Sequence, residues 1–176
     1  MIRGAAGAQA PVTLRTKLRP GDIGRIVWLH GLLYAQEYGF DHTFEAYVAG
    51  PLADFARSTG PRERIWIAQR EGEIVGCIAI VARSERVAQL RWFLVVPGAR
   101  GGGLGRRLLG RAVAFCRARR YRSIILWTLD SLVAAAHLYQ SAGFRKVEEK
   151  PGRMWGVGVV EEKYELTLGR ARPPMR

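Results

Sequence analysis

The residues with the clearest chemical potential lie in one short run, Arg100-Gly101-Gly102-Gly103-Leu104-Gly105-Arg106-Arg107. Glycines this dense let the backbone take conformations that a Cβ forbids. They also let main-chain N–H groups approach an anion closely. The apolar residues that follow recur at helical spacing, so a helix N-terminus adds unpaired donors and the positive end of its dipole. Together these parts form a pyrophosphate cradle, with Arg100, Arg106 and Arg107 adding charge. Two common nucleotide loops do not fit. Leu108 stands where a dinucleotide fingerprint needs its third glycine, and no Gly-Lys-Ser/Thr follows. The two cysteines, Cys77 and Cys116, sit in apolar surroundings without a CxxC or a Cys/His cluster. Buried thiols are expected, not a disulfide framework or a metal site.

The elements that must hold this loop follow from periodicity. Val12–Leu18 alternates as a half-buried strand. After Pro20-Gly21-Asp22, apolar residues from Ile23 to Tyr34 repeat as a helix that stops at Gly39. A second helix starts near Asp41 and carries Phe44, Val48, Leu52 and Phe55, with a kink or split expected at Gly50-Pro51. Ile65–Ala68 and Ile74–Val81 form a hairpin around Glu71-Gly72-Glu73. A third strand runs from Ala88 to Val96 and ends at Pro97. The glycine loop then leads into an amphipathic helix carrying Leu104, Leu108, Leu109, Ala112, Val113 and Cys116. Next come a strand (Ser123–Thr128), a helix (Leu132–Ala142), a short strand (Phe144–Glu149) and a last strand (Val157–Leu168). The order predicts a single α/β domain over 11–168, with one mixed sheet and helices on its faces. Residues 1–10 read as a flexible tail and 169–176 as a basic disordered one.

The chain of 176 residues carries a net charge of +13, with 48% hydrophobic and 24% charged residues. That composition is ordinary for a globular domain. The charge favours a polyanionic partner. A nucleic-acid-binding module is one such class, but no basic stripe with interleaved aromatics and no helix-turn-helix pattern supports it. No apolar run approaches the ~20 residues of a membrane span. A cytoplasmic protein with no membrane partner is the expectation.

The loop now becomes more specific. Arg100-x-x-Gly103-x-Gly105 resembles the Arg/Gln-x-x-Gly-x-Gly/Ala acyl-CoA loop of the GNAT family of N-acetyltransferases, and Val95-Val96-Pro97 before it belongs to the same pattern. Ala135-Ala136-His137-Leu138-Tyr139-Gln140-Ser141-Ala142-Gly143-Phe144 resembles the family's A-x-x-x-Y-x-x-x-G-F signature. Both blocks occur in the family's order, and the likeness covers roughly 12–168. His30-Gly31-x-x-Tyr34-x-x-Glu37-Tyr38-Gly39 is further similar to the acetyltransferase half of fused MarR-type regulators.

The resemblance implies a single-domain α/β GNAT-like acyl-CoA N-acyltransferase fold, with a mixed, mostly antiparallel sheet flanked by helices, that uses acetyl-CoA as donor and no metal. The cofactor's pantetheine arm would pair with main-chain groups of Phe93, Leu94 and Val95, which would also stabilise the oxyanion. Its pyrophosphate would sit on N–H groups from Arg100 through Gly101, Gly102, Gly103, Leu104 and Gly105 to Arg106. Tyr139 matches the tyrosine near the thioester sulfur, a general acid. Leu132 replaces a cofactor-contacting Asn, for which Ser131 or Asp130 could substitute. Trp127 occupies a position where some members carry a catalytic Glu. The general base then falls to Glu37 or His30, and Tyr38 and Trp92 could line the acceptor pocket. The implied reaction is direct attack by a primary amine, small-molecule or peptide, in a ternary complex, with a homodimer as a frequent arrangement in the family. A non-catalytic acyl-CoA sensor is the alternative.

Overall fold

A computed structural model describes residues 10–169. The tails expected at 1–10 and 169–176 fall, but for Ala10 and Gly169, outside the described residues. β1 (Thr13–Arg15) is shorter than its alternating pattern suggests. It is tied to α1 (Asp22–Tyr38) by a two-pronged pair, Arg15 Nη1 and Nη2 donating to Asp22 at 2.7 and 2.6 Å. Burial would raise the Asp22 carboxyl, but Arg15 and the Arg19 backbone N–H hold it below the usual carboxylate value. α2 (Thr43–Ser58) is one helix and runs through Pro51 without splitting. Phe44, Val48, Leu52 and Phe55 are buried along it, and that packing offsets the single bond that proline removes. Gly31 leaves room for the Glu45 side chain where the two helices meet.

β2 (Arg64–Arg70) and β3 (Glu73–Ala82) form the expected hairpin. Its two turn residues, Glu71 and Gly72, both have positive φ, matching the right-handed strand twist. β4 (Val87–Val95) follows, then a short 3-10 turn at Pro97–Ala99 and α3 (Leu104–Ala118). β5 (Ser123–Leu129) and α4 (Val133–Ser141) lead to β6 (Arg145–Met154) and β7 (Val157–Thr167). β6 extends five residues past the expected Glu149, through Pro151. It is the edge strand, where a missing N–H is tolerated.

The sheet has seven strands in the order β1-β2-β3-β4-β5-β7-β6. Every pairing is antiparallel except β4 with β5. One core lies between the sheet and α3, around Leu108, Leu109, Ile124 and Leu126. The other lies between the sheet and α1/α2, around Ile26, Leu52, Ile67 and Phe55. β3 is buried on both sides, with Ile78 and Ile80 in the first core and Cys77 and Ala79 in the second. Both cysteines are free and buried. Among the described residues no helix is long and apolar enough to cross a membrane.

Candidate active site

A break in the sheet creates the site. β4 and β5 pair only through Val87–Gln89 and Ser123–Ile125. Beyond that point β4 carries one extra residue against β3: Ala79 faces Arg91, whereas Cys77 faces Leu94. Such a bulge bends a strand and re-aims its side chains. Leu90 therefore packs toward α3, Trp92 toward α1/α2, and Phe93 toward α3 again. Trp92 takes φ 48°, a conformation that costs a non-glycine residue ~1 kcal/mol or more. Its carbonyl accepts a hydrogen bond from Cys77 Sγ at 3.0 Å. Past the bulge, among the described residues, no strand pairs with the β5-facing backbone edge of β4, where Val95 O is met only by Arg100 Nε at 2.9 Å. That edge walls a cavity of about 580 Å³ whose opposite side holds Leu129 and Leu132.

The glycine loop closes one end of this cavity. Gly101 and Gly103 have φ 80° and 78°, and nothing lies within 4 Å of where a Cβ would stand at Gly101, Gly102 or Gly103. Gly105 has a different reason. A Cβ there would press to 3.2 Å of Leu138 and 3.6 Å of Phe93, so its absence lets α3 approach β4 and α4. The Arg100 N–H is donated to Pro97 O and the Arg107 N–H to Gly103 O. Between them, the N–H groups from Gly101 to Arg106 have no protein acceptor among the described residues. The run of free donors begins at Gly101, one residue later than expected, because the 3-10 turn consumes that of Arg100. These residues suit a phosphate-bearing ligand: open space, unspent donors and a helix N-terminus.

Arg100 also directs its side chain elsewhere. Its Nε donates to Val95 O at 2.9 Å, and its fork grips Glu37 Oε1 and Oε2 at 2.7 and 3.1 Å. Glu37, one of the two base candidates, therefore has both oxygens engaged, and that pair must open before it can take a proton. The other candidate, His30, is buried. Its Nδ1 lies 2.8 Å from Ile26 O, an arrangement that makes Nδ1 the protonated nitrogen. Burial lowers it to about 4, so the ring is neutral and weakly basic at pH 7.

Tyr139 is buried on α4 and lines the cavity, its ring 6.0 Å from Phe93 and 5.9 Å from Phe144. Burial, reinforced by Tyr34, holds its phenol well above the ordinary tyrosine value. The hydroxyl thus keeps its proton until a strong base appears beside it. Phe93, Leu94, Val95, Leu104, Gly105 and Arg106 line the same cavity. Gly102 and Ser131 do not; Ser131 is exposed in the turn after β5, while Leu132 reaches the lining. Trp127, Tyr38 and Trp92 line it too. Arg91, Tyr47, Trp155 and Glu161 also reach the lining and have no sequence signal. They converge from β4, α2, the β6–β7 turn and β7, so no local pattern joins them. Among the described residues no group of three or more His, Cys, Asp or Glu is placed to hold a metal.

A sheet splayed beside a helix whose N-terminus carries unspent donors defines an α/β domain built to hold a phosphate-bearing ligand at the strand ends. The model of the acetyltransferase (GNAT) family matches residues 27–144, most of the chain, and the chain belongs to that family. It is 34% identical over 118 residues to an uncharacterized N-acetyltransferase of Schizosaccharomyces pombe, covering 65% of this chain and 72% of that protein. It is also 34% identical over 85 residues to the N-acetylaspartate synthetase of Danio rerio, covering 48% of this chain but only 30% of that longer protein. The fold resembles a GNAT acetyltransferase from Elizabethkingia anophelis with acetyl-CoA bound (TM-score 0.63, 17% identity, 89% and 98% of the two chains).

Proposed function

We propose that this protein transfers an acetyl group from acetyl-CoA to a primary amine, by direct attack with both substrates bound. The observation that carries this is the run of unspent N–H donors from Gly101 to Arg106, at the mouth of a cleft that ends at Tyr139. Those donors would hold the pyrophosphate. The free edge of β4 at Phe93–Val95 would receive the pantetheine amides and present N–H groups to the developing oxyanion. Acetyl-CoA supplies the thioester, an acyl carbon joined to a good leaving group.

The chain's own residues then do three things. The loop and β4 fix the acyl carbon near Phe93, which removes much of the entropy cost of meeting an amine. Tyr139 holds a proton at its hydroxyl. As the amine nitrogen bonds to the acyl carbon and the C–S bond breaks, that proton passes to sulfur. The proton shed by the amine returns through solvent to restore the phenol, so the products are an N-acetylated amine and free thiol. Glu37 is best used here as an anchor: its pair with Arg100 joins α1 to the cofactor loop. Ser131 is too exposed to matter beyond the rim. The likeness to the acetyltransferase half of MarR-type fusions rests on the α1 residues around His30, Tyr34 and Glu37, all three of which line the cleft.

The test is thiol release from acetyl-CoA in the presence of an amine panel, with mass spectrometry of the product. Amine-dependent release with a +42 Da acetylated product (the mass of C₂H₂O, roughly 42) supports the proposal. Stoichiometric acetyl-CoA binding without turnover on any amine would favour the sensor instead.

A further inference from the structure

The half of the cleft away from the glycine loop has its own chemistry. Arg91 pairs in register with Ala79 and faces α2, and the bulge that follows it puts Trp92 on the same side. Its guanidinium carbon lies 5.1 Å from the Trp92 ring centroid and 5.9 Å from that of Tyr47. Arg91 lines the cavity. Among the described residues its side chain makes no ion pair and no hydrogen bond. Of the two carboxylates that line the cavity, Glu37 pairs with Arg100 at 2.7 Å, and Glu161 lies 4.0 Å from the exposed Lys150 without a hydrogen bond to it. Trp92 Nε1 adds a buried donor without an acceptor on the same wall.

Beside Arg91 stands an aromatic cluster. Phe44 packs edge-on to Trp155 with centroids 4.9 Å apart, and Tyr47 lies 5.1 Å from Trp155. Tyr47 is 49% exposed, a large ring left open at the cavity's lip. Aromatic faces alone would welcome a cation. Here Arg91 already occupies the Tyr47 and Trp92 faces, and its unmet charge, within a chain of net +13, repels a polycation. What fits is an anion next to an apolar group. The anion must also lie close to the reacting amine. Arg91 and Phe93 stand two residues apart on β4, ~3.3 Å per residue, Arg91 on the α2 side and Phe93 on the α3 side beside Tyr139, and all three line the one cavity at the split between β4 and β5.

We propose that the acceptor is a free α-amino acid with an apolar, preferably aromatic, side chain. Its carboxylate pairs with Arg91, its side chain packs among Phe44, Tyr47 and Trp155, and its amine points toward Phe93 and Tyr139. This assignment rests on the acetyl transfer proposed above.

The test compares L-phenylalanine with L-phenylalanine amide, 2-phenylethylamine and spermidine. Calorimetry of acetyl-CoA binding is run in parallel. The wild-type protein should prefer the acid over its amide in kcat/KM by about ten- to a hundredfold, the worth of a charge-assisted hydrogen bond. Arg91→Ala should raise KM for L-phenylalanine by a similar factor and erase the preference, with acetyl-CoA affinity unchanged. Arg91→Lys should restore part of it. L-phenylalanine should also bind the protein–CoA complex in calorimetry, and bind Arg91→Ala more weakly. The acid-against-amide comparison needs only the wild-type chain, so a misfolded variant does not blunt it. Equal use of acid and amide, a preference for spermidine, or an Arg91→Ala protein that keeps the preference would each overturn the assignment and leave acetyl transfer standing. Failure to bind acetyl-CoA would overturn acetyl transfer itself, and this assignment with it.

Discussion

The two walls of the cleft bind by different means. The wall of β4, the glycine loop and α3 offers backbone: free N–H groups from Gly101 to Arg106 and an unpaired strand edge. The wall of α1, α2 and the β6–β7 turn offers side chains: Tyr34 packs on Phe44, which meets Tyr47 and Trp155, with Arg91 over the Tyr47 ring. A backbone site recognises what every donor cofactor of one kind shares. A side-chain site can be rewritten residue by residue without disturbing the fold. Under the proposed function the first wall would define the chemistry, and the second would select the acceptor.

Tyr139 lies on the first side of the cleft, beside Phe93, and its loss should be the largest effect. Tyr139→Phe removes the only atom proposed to protonate sulfur, so kcat should fall about 10²- to 10⁴-fold while acetyl-CoA affinity holds. Steady-state kinetics beside calorimetry would check this, and an unchanged kcat removes Tyr139 from the acid role. Because burial keeps the phenol protonated, no break in the kcat profile from this residue is expected between pH 6 and 9.

The next effect belongs to the second wall. His30 titrates near 4 in the fold and near 6.5 when unfolded. Between these values the unfolded chain binds a proton that the folded one refuses. Stability from this residue is complete above about pH 6.5 and is lost as pH falls toward 4, by roughly 3 kcal/mol. Urea unfolding at several pH values should reveal that slope. His30→Gln should flatten it, and an identical slope in the variant would contradict the buried neutral ring.

Gly102→Asp probes the first wall alone. Gly102 has ordinary φ and open space around it, so the fold should tolerate the change. Its carboxylate would stand among the loop's N–H donors, compete with a bound phosphate and weaken acetyl-CoA binding by roughly ten- to thirtyfold, a loss of ~1–2 kcal/mol. The KM for the amine should barely move. A matching loss in both would mean the walls are not separable. Glu37→Gln is the smallest change, because it trims an exposed ion pair worth under ~1 kcal/mol. KM for acetyl-CoA should rise by a few fold at most. A drop of ~10² or more in kcat would return Glu37 to the role of base.

The contrast between the walls also explains what could be read from the chain. The glycine loop, Val95-Val96-Pro97 and the stretch around Tyr139 are contiguous, because backbone recognition needs neighbouring residues. Strand and helix order follow from periodicity and predict one mixed sheet, while its mostly antiparallel character follows from the family resemblance, and both are found. The bulge at Trp92–Phe93 leaves no trace in composition: it depends on how β4 pairs with β3. Arg91, Tyr47, Trp155 and Glu161 meet only through that bulge, α2 and the β6–β7 turn. The Arg100–Glu37 pair spans 63 residues of sequence, so both were noticed singly while their partnership was not. Pro51 pointed to a break that tertiary packing overrides.

The central claim is that the glycine loop holds acetyl-CoA by its pyrophosphate. The most direct measurement is calorimetric titration with acetyl-CoA, at low and moderate salt, of the wild-type chain and Gly102→Asp. The account predicts one site per chain, an affinity that persists as salt rises, and a clear loss in the variant. Weak binding without stoichiometry, fading with salt and indifferent to Gly102→Asp, would contradict it. The excess of positive charge would then be acting as a general polyanion surface.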